Sequence, residues 1–201
     1  MQIDLGEISV PKKDGPKSSS VRSETSAAKL AACSKRYGDA KATIGKIEKG
    51  VNIHAVSEGE WSLHNTISHV IDEIGPCDLW VATWSISEDA VRQLVRMRLD
   101  GRVRKFMMLA DWRVRHRRPE AAGLVRSNSD KVRVGNCHAK AAVLLNDEFS
   151  VSIVTSANLT NNPRTEVYVI TEDEKIAAFH RTWIEHGIDD GNNFDEGVKL
   201  A

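Results

Sequence analysis

The sequence is short of several things that would otherwise give it an easy reading. Nowhere among its 201 residues does an apolar run approach the ~20 residues that a membrane-spanning helix needs. The opening MQIDLGEISVPKKDG has no basic-then-apolar layout, so no secretion signal is expected. Cysteine is scarce: Cys33, Cys77 and Cys137 are odd in number and contain no CxxC pair. That argues against a disulfide framework and for reduced thiols, and the expected compartment is the cytoplasm. No internal repeat is visible. Charge of one sign is also missing in total, because 28 Lys and Arg balance 28 Asp and Glu. At this length and with 41% hydrophobic residues, the chain suits one domain with a full core.

The zero balance conceals an asymmetry. Between Arg92 and Arg126 eleven Lys and Arg face three acids, a local excess of +8. Between Glu172 and Glu196 eight acids face two bases, leaving −6. A basic block inside a neutral protein suggests a surface for a polyanion, and Arg113, Arg115, Arg117 and Arg118 are its densest part. The plainer alternative is a set of solvated helix faces whose arginines pair with the acidic tail.

Residues 1–25 are rich in Lys, Ser, Pro and Gly without an apolar period, so a disordered leader is expected. Residues 26–49 read as a helical extension, with a short helix over 26–37, and residues 189–201 as a flexible acidic tail. Between them, 50–188 alternates strand and helix. Val51–Val56 reads as a strand, and Leu63–Ile74 carries apolar residues at helical spacing before Gly75-Pro76. Asp78–Ile86 is β-rich. Ser87 is a plausible N-cap, with Glu88 and Asp89 in the first turn of the helix that follows. Val103–Ala110 and 132–134 read as strands around a short helix at Pro119–Arg126. Two close strands follow at Cys137–Leu145 and Phe149–Ser156, then a strand at Glu166–Thr171 and a helix from Asp173 to His186. This order predicts an α/β sandwich, a mixed sheet flanked by helices.

Chemistry is concentrated between His138 and Glu166. His138 and Lys140 are two apart, as are Ser156 and Asn158, and residues two apart on a strand share a face. Asn146-Asp147-Glu148 suits a three-residue hairpin loop, which would set Leu145 opposite Phe149 and His138 opposite Ser156. The result would be one patch of His138, Lys140 and Ser156, with Asn158 just beyond. An imidazole can attack phosphorus or protonate a leaving alkoxide near neutral pH. An ammonium, a hydroxyl and an amide can hold the non-bridging oxygens as charge builds. A lone strand histidine is more often structural, but a lysine inside AKAAVLL needs an open strand end or an anionic partner. His54, His64 and His69 form no comparable pattern.

His138-x-Lys140, a hairpin, Ser156-x-Asn158-Leu159-Thr160 and Asn162-x-Arg164-x-Glu166 together resemble the signature of the phospholipase D superfamily, in its single-motif nuclease branch. DLWVATWSISEDAVRQL resembles the strand and helix that open that fold. The resemblance covers roughly 50–188 and is sharp over 138–166. It implies that His138 is nucleophile or general acid, that Lys140, Ser156 and Asn158 bind phosphate, and that Glu166 orients a histidine of the same or the partner chain. It implies metal-independent chemistry with no cofactor, and a homodimer sharing one composite site on nucleic acid. Where the family has an acid five residues after the lysine this chain has Leu145, and where glycine is usual before the serine it has Thr155. The leading reading is a nuclease acting through a phosphohistidine. The alternatives are an inactive nucleic-acid-binding relative and a phospholipid phosphodiesterase.

Overall fold

The computed structural model describes the backbone of Lys29–Cys33 and residues 39–161 and 163–192. The leader expected at 1–25, most of the expected acidic tail and Asn162 lie outside the described residues. The elements run β1 (Lys29–Cys33), α1 (Ala40–Ile44), β2 (Val51–Glu58), α2 (Leu63–Ile74), β3 (Cys77–Thr83), α3 (Glu88–Leu99), β4 (Val103–Asp111), α4 (Val114–Arg117), α5 (Pro119–Asn128), β5 (Lys131–Gly135), β6 (Ala141–Leu145), β7 (Ser150–Thr155), β8 (Thr165–Glu172) and α6 (Glu174–Asp189). The eight strands form one mixed sheet in the order β1-β2-β8-β7-β6-β3-β4-β5. A mixed sheet flanked by helices agrees with the α/β sandwich expected from the sequence.

Each face of the sheet has its own core. On β3 the alternate residues Leu79 and Val81 pack with α2, α3 and α5 through Ile67, Leu94 and Val125, while Trp80 and Ala82 pack with α6 through Ala177, Ile184 and Ile188. That is why this strand reads as an unbroken apolar run: a strand covered on both sides has no polar face to alternate with. Helix starts follow the expected chemistry. The Ser87 hydroxyl accepts from Ala90 N–H at 3.4 Å, and the Asp173 carboxylate accepts from Ile176 N–H at 2.9 Å.

Two local expectations are corrected. The short helix anticipated over 26–37 is replaced, within the described part, by strand β1, which pairs in parallel with β2 from Lys29 opposite Val51 to Cys33 opposite Ala55. Pairing along a sheet edge outweighs the helix propensity of a short Ala-Leu segment. The hairpin has a two-residue loop in place of three: Leu145 pairs with Ser150, and Asn146 N–H reaches Phe149 O at 3.0 Å. The Asn146 side chain selects this loop by accepting from the backbone N–H of Glu148 at 3.0 Å and Phe149 at 2.7 Å. Lys140 therefore lies opposite Thr155, whose N–H donates to Lys140 O at 3.1 Å, and His138 is not opposite Ser156.

Candidate active site

One end of the sheet gathers the chemistry because of strand direction. β3 and β4 are parallel, β6 runs against β3, and β7 and β8 alternate again. The C-terminal ends of β3, β4 and β7 and the N-terminal ends of β6 and β8 thus meet on one edge. That edge holds Trp84, Asp111, Ser156, Lys140 and Glu166. The one-residue shift in register would have split His138 and Lys140 from Ser156 had all of them stayed in the pleat. They do not: β6 begins at Ala141 and β7 ends at Thr155, so both motifs leave the sheet as it ends.

The outcome is a cavity of about 520 Å³ lined by His138, Lys140 and Ser156 together, over Ala141 and Val154 and against His180 and Trp183 of α6. His138 and Ser156 are exposed and Lys140 is half-buried. The Lys140 ammonium donates to His138 O at 2.6 Å and lies 3.3 Å from His138 Nδ1. Burial pushes the Lys140 pKa below the usual lysine range, with Cys137, Glu166 and Asp111 pulling the other way. The open strand end anticipated for this lysine is present.

Asn158 does not line the cavity. The segment that carries it is pinned to the β3–α3 connection: Leu159 N–H donates to Ser85 O at 3.2 Å, and Ser87 N–H donates to Leu159 O at 2.9 Å. Asn158 Oδ1 is buried there without a hydrogen-bond partner among the described residues. Gly59 closes over the same loop. Its φ is +92°, and a Cβ at this position would sit 2.7 Å from Pro163 Cα. Glu166 is nearly buried on β8 and accepts a hydrogen bond from the Ser156 hydroxyl.

The two departures from the family pattern acquire structural uses. The Thr155 hydroxyl donates to Val167 O at 2.7 Å and accepts from Ala157 N–H at 3.0 Å, holding the bend that carries Ser156. Leu145 packs against the apolar cluster beneath α6.

The basic block divides. Arg92, Arg98, Arg102 and Arg104 pair with Glu88, Asp130, Asp72 and Asp78 respectively, none of them in the tail. Arg113 reaches the site. Its Nε lies 2.6 Å from the carboxylate of the fully buried Asp111, which raises the guanidinium pKa, and its guanidinium stands 5.3 Å from the centre of the Trp84 ring. Arg115, Arg117 and Arg118 follow on α4 and at its end, the last two exposed.

Sequence reasoning missed Trp84, His180, Trp183 and Asp111. Trp84 stacks at a tilt on His138, 5.4 Å between ring centres, and its buried Nε1 has no partner among the described residues. Its position just past the end of β3 was the available signal, since ligands of α/β sheets gather at the carboxyl ends of parallel strands. His180 had no such signal.

No family model and no curated protein matches this sequence. Among solved structures, the chain is similar to NucT from Helicobacter pylori at 17% identity and a TM-score of 0.52, covering 71% of this chain and 99% of that one. It is similar at 17% identity and a TM-score of 0.54 to Nuc from Salmonella typhimurium, a phospholipase D family member, covering 70% of this chain and 97% of that one. The likeness establishes the fold, which is the one these two structures share and the one the motif implied.

Proposed function

We propose that this chain is one half of a phosphodiesterase that cleaves nucleic acid without a metal ion, through a phosphohistidine on His138. The observation that carries the reading is the convergence of His138, Lys140 and Ser156 on one cavity despite the shifted hairpin register. An imidazole beside an ammonium and a hydroxyl offers a nucleophile and oxyanion donors within one space.

The contact between Lys140 and His138 has a mechanistic consequence. An ammonium only donates, so a hydrogen bond to Nδ1 leaves the proton of the neutral ring on Nε2. A phosphate dianion or diester would draw the ammonium toward its own oxygens and release the ring. His138 nitrogen then attacks phosphorus, a P–N bond forms, and the P–O bond to the leaving nucleotide breaks. The leaving oxygen takes its proton from a second imidazolium. Water next attacks phosphorus while that second imidazole, now neutral, accepts a proton from it, and the P–N electrons return to His138. The products are a phosphomonoester and an alcohol.

The second imidazole is assigned to the partner's His138 in a two-fold dimer, which needs no further sequence. The part of the α6 side of the sheet that α6 does not cover supports this. Val56 pairs with Val167, and Val154 with Val169, so all four share one face of β2, β8 and β7. Val56, Val154 and Val167 are 39%, 39% and 54% exposed, and Val154 also lines the cavity. An apolar strip that borders the site suits a second copy.

The test is cleavage of plasmid, single-stranded DNA, RNA and a phosphatidylcholine analogue in EDTA, by wild type and His138→Asn. Cleavage of nucleic acid by wild type alone, with acid-labile phosphate trapped on His138, is expected. Binding without cleavage would favour an inactive nucleic-acid-binding protein, and turnover of the lipid analogue alone a lipid phosphodiesterase. Loss of Lys140 is expected to cost about 10²–10³-fold in rate, the usual effect of removing one transition-state donor.

A further inference from the structure

The cavity is larger than its phosphate chemistry requires. At about 520 Å³ it lies within the ~300–1,000 Å³ range of small-molecule sites. His138, Lys140 and Ser156 supply its phosphate-seeking groups. The rest of the lining includes Ala139, Ala141, Val154 and, from α6, His180 and Trp183. Among the described residues no Lys or Arg lies on that second wall to meet another phosphate. Arg181, between the two α6 residues in sequence, turns instead toward Trp80, 5.1 Å from its ring centre, and donates to Glu185 at 3.1 Å.

The α6 wall is also fixed in its chemistry. Trp183 Nε1–H lies 3.0 Å from His180 Nδ1, and an indole nitrogen can only donate. His180 Nδ1 is therefore the acceptor, and the neutral ring carries its proton on Nε2. No described residue accepts from that Nε2–H. The His180 ring is held edge-on to Phe179, 5.1 Å away at 74°, and to Trp183, 6.2 Å away at 76°. Burial lowers the His180 pKa, consistent with a ring that stays neutral.

We infer that the His180–Trp183 wall binds the nucleoside next to the scissile phosphate, with the indole giving a flat apolar contact and His180 Nε2–H one hydrogen bond to a heterocycle or sugar acceptor. This rests on the phosphodiesterase reading of the same cavity. An uncharged wall with one aromatic face and a single fixed donor matches a nucleoside, and it does not match a second phosphodiester. His180 and Trp183 are specificity residues in this assignment, and the bond changes remain at His138.

The experiment compares two diesters with one leaving group, thymidine 5′-(p-nitrophenyl phosphate) and methyl p-nitrophenyl phosphate, using the full chain. Trp183→Ala is expected to raise KM for the nucleoside diester at least ~tenfold more than for the methyl diester, in line with aromatic–base stacking. His180→Gln, which keeps a donor, is expected to retain more nucleoside preference than His180→Phe. Trp183→Phe, which keeps a ring and removes the indole donor, gives a gentler second variant if Trp183→Ala does not fold. Equal losses on both diesters, or none, would overturn the inference. Calorimetric binding of thymidine 5′-monophosphate separates the two readings. Binding that depends on Trp183 without hydrolysis of either diester sustains the wall and sinks the phosphodiesterase. Hydrolysis without such binding does the reverse.

Discussion

The Ser156 hydroxyl, just past the end of β7, donates to the Glu166 carboxylate of β8, while Val167 N–H donates to Ser156 Oγ at 3.1 Å. The serine proton is thus committed to a nearly buried acid, and Ser156 must release Glu166 before it can donate to a phosphate. Ser156→Ala leaves that carboxylate short of a donor, at a cost of about 1–3 kcal/mol. A thermal melt is expected to show a loss of roughly 2–4 °C per kcal/mol. His138→Asn, at an exposed side chain, is expected to leave the melt nearly unchanged. Equal melts for Ser156→Ala and wild type would show that this bond contributes nothing to the fold.

Replacing Arg115, Arg117 and Arg118 together with Ala is expected to lower the salt dependence of nucleic-acid binding by up to about three in the log–log slope, near one per lost phosphate contact. Arg113 is left out because its pairing with Asp111 builds the site. A slope equal to wild type would make α4 a solvated face.

Light scattering is expected to give twice the 22.3 kDa chain mass at micromolar concentration. Val167→Asp sets a charge in the exposed valine strip and is expected to produce monomer and lose activity together. A fully active monomer would refute the shared site.

Burial drives the pKa of His64, 1% exposed on α2, from 6.5 down to about 4. Between those values the unfolded chain binds a proton that the folded chain refuses, so stability falls as pH drops from about 6.5 to about 4. The loss approaches ~3 kcal/mol at the lower end, taking ~1.4 kcal/mol per unit. His64→Asn is expected to flatten Tm against pH over that window. An unchanged slope would place the acid sensitivity elsewhere.

Local order fixed much of this protein before any tertiary contact. The spacing of Leu63, Ile67, Val70, Ile71 and Ile74 names α2, and Ser87 and Asp173 name the starts of α3 and α6, because periodicity and capping act within a few residues. His138-x-Lys140 and Ser156-x-Asn158 were legible for the same reason: each pair is short, and its residue types carry the chemistry. What lay beyond the sequence depended on contacts across it. A single Asn146 side chain chose a two-residue loop and moved the register by one. The ends of β6 and β7 then decided that His138, Lys140 and Ser156 would still meet. Trp84, Asp111 and Arg113 join them because β3 and β4 run parallel and finish at the same edge. His180 and Trp183, more than twenty residues downstream of Ser156, arrive on α6, packed there by Ala177, Ile184 and Ile188 beneath it. No local pattern marks that meeting, since it is set by which face of a finished sheet the last helix covers.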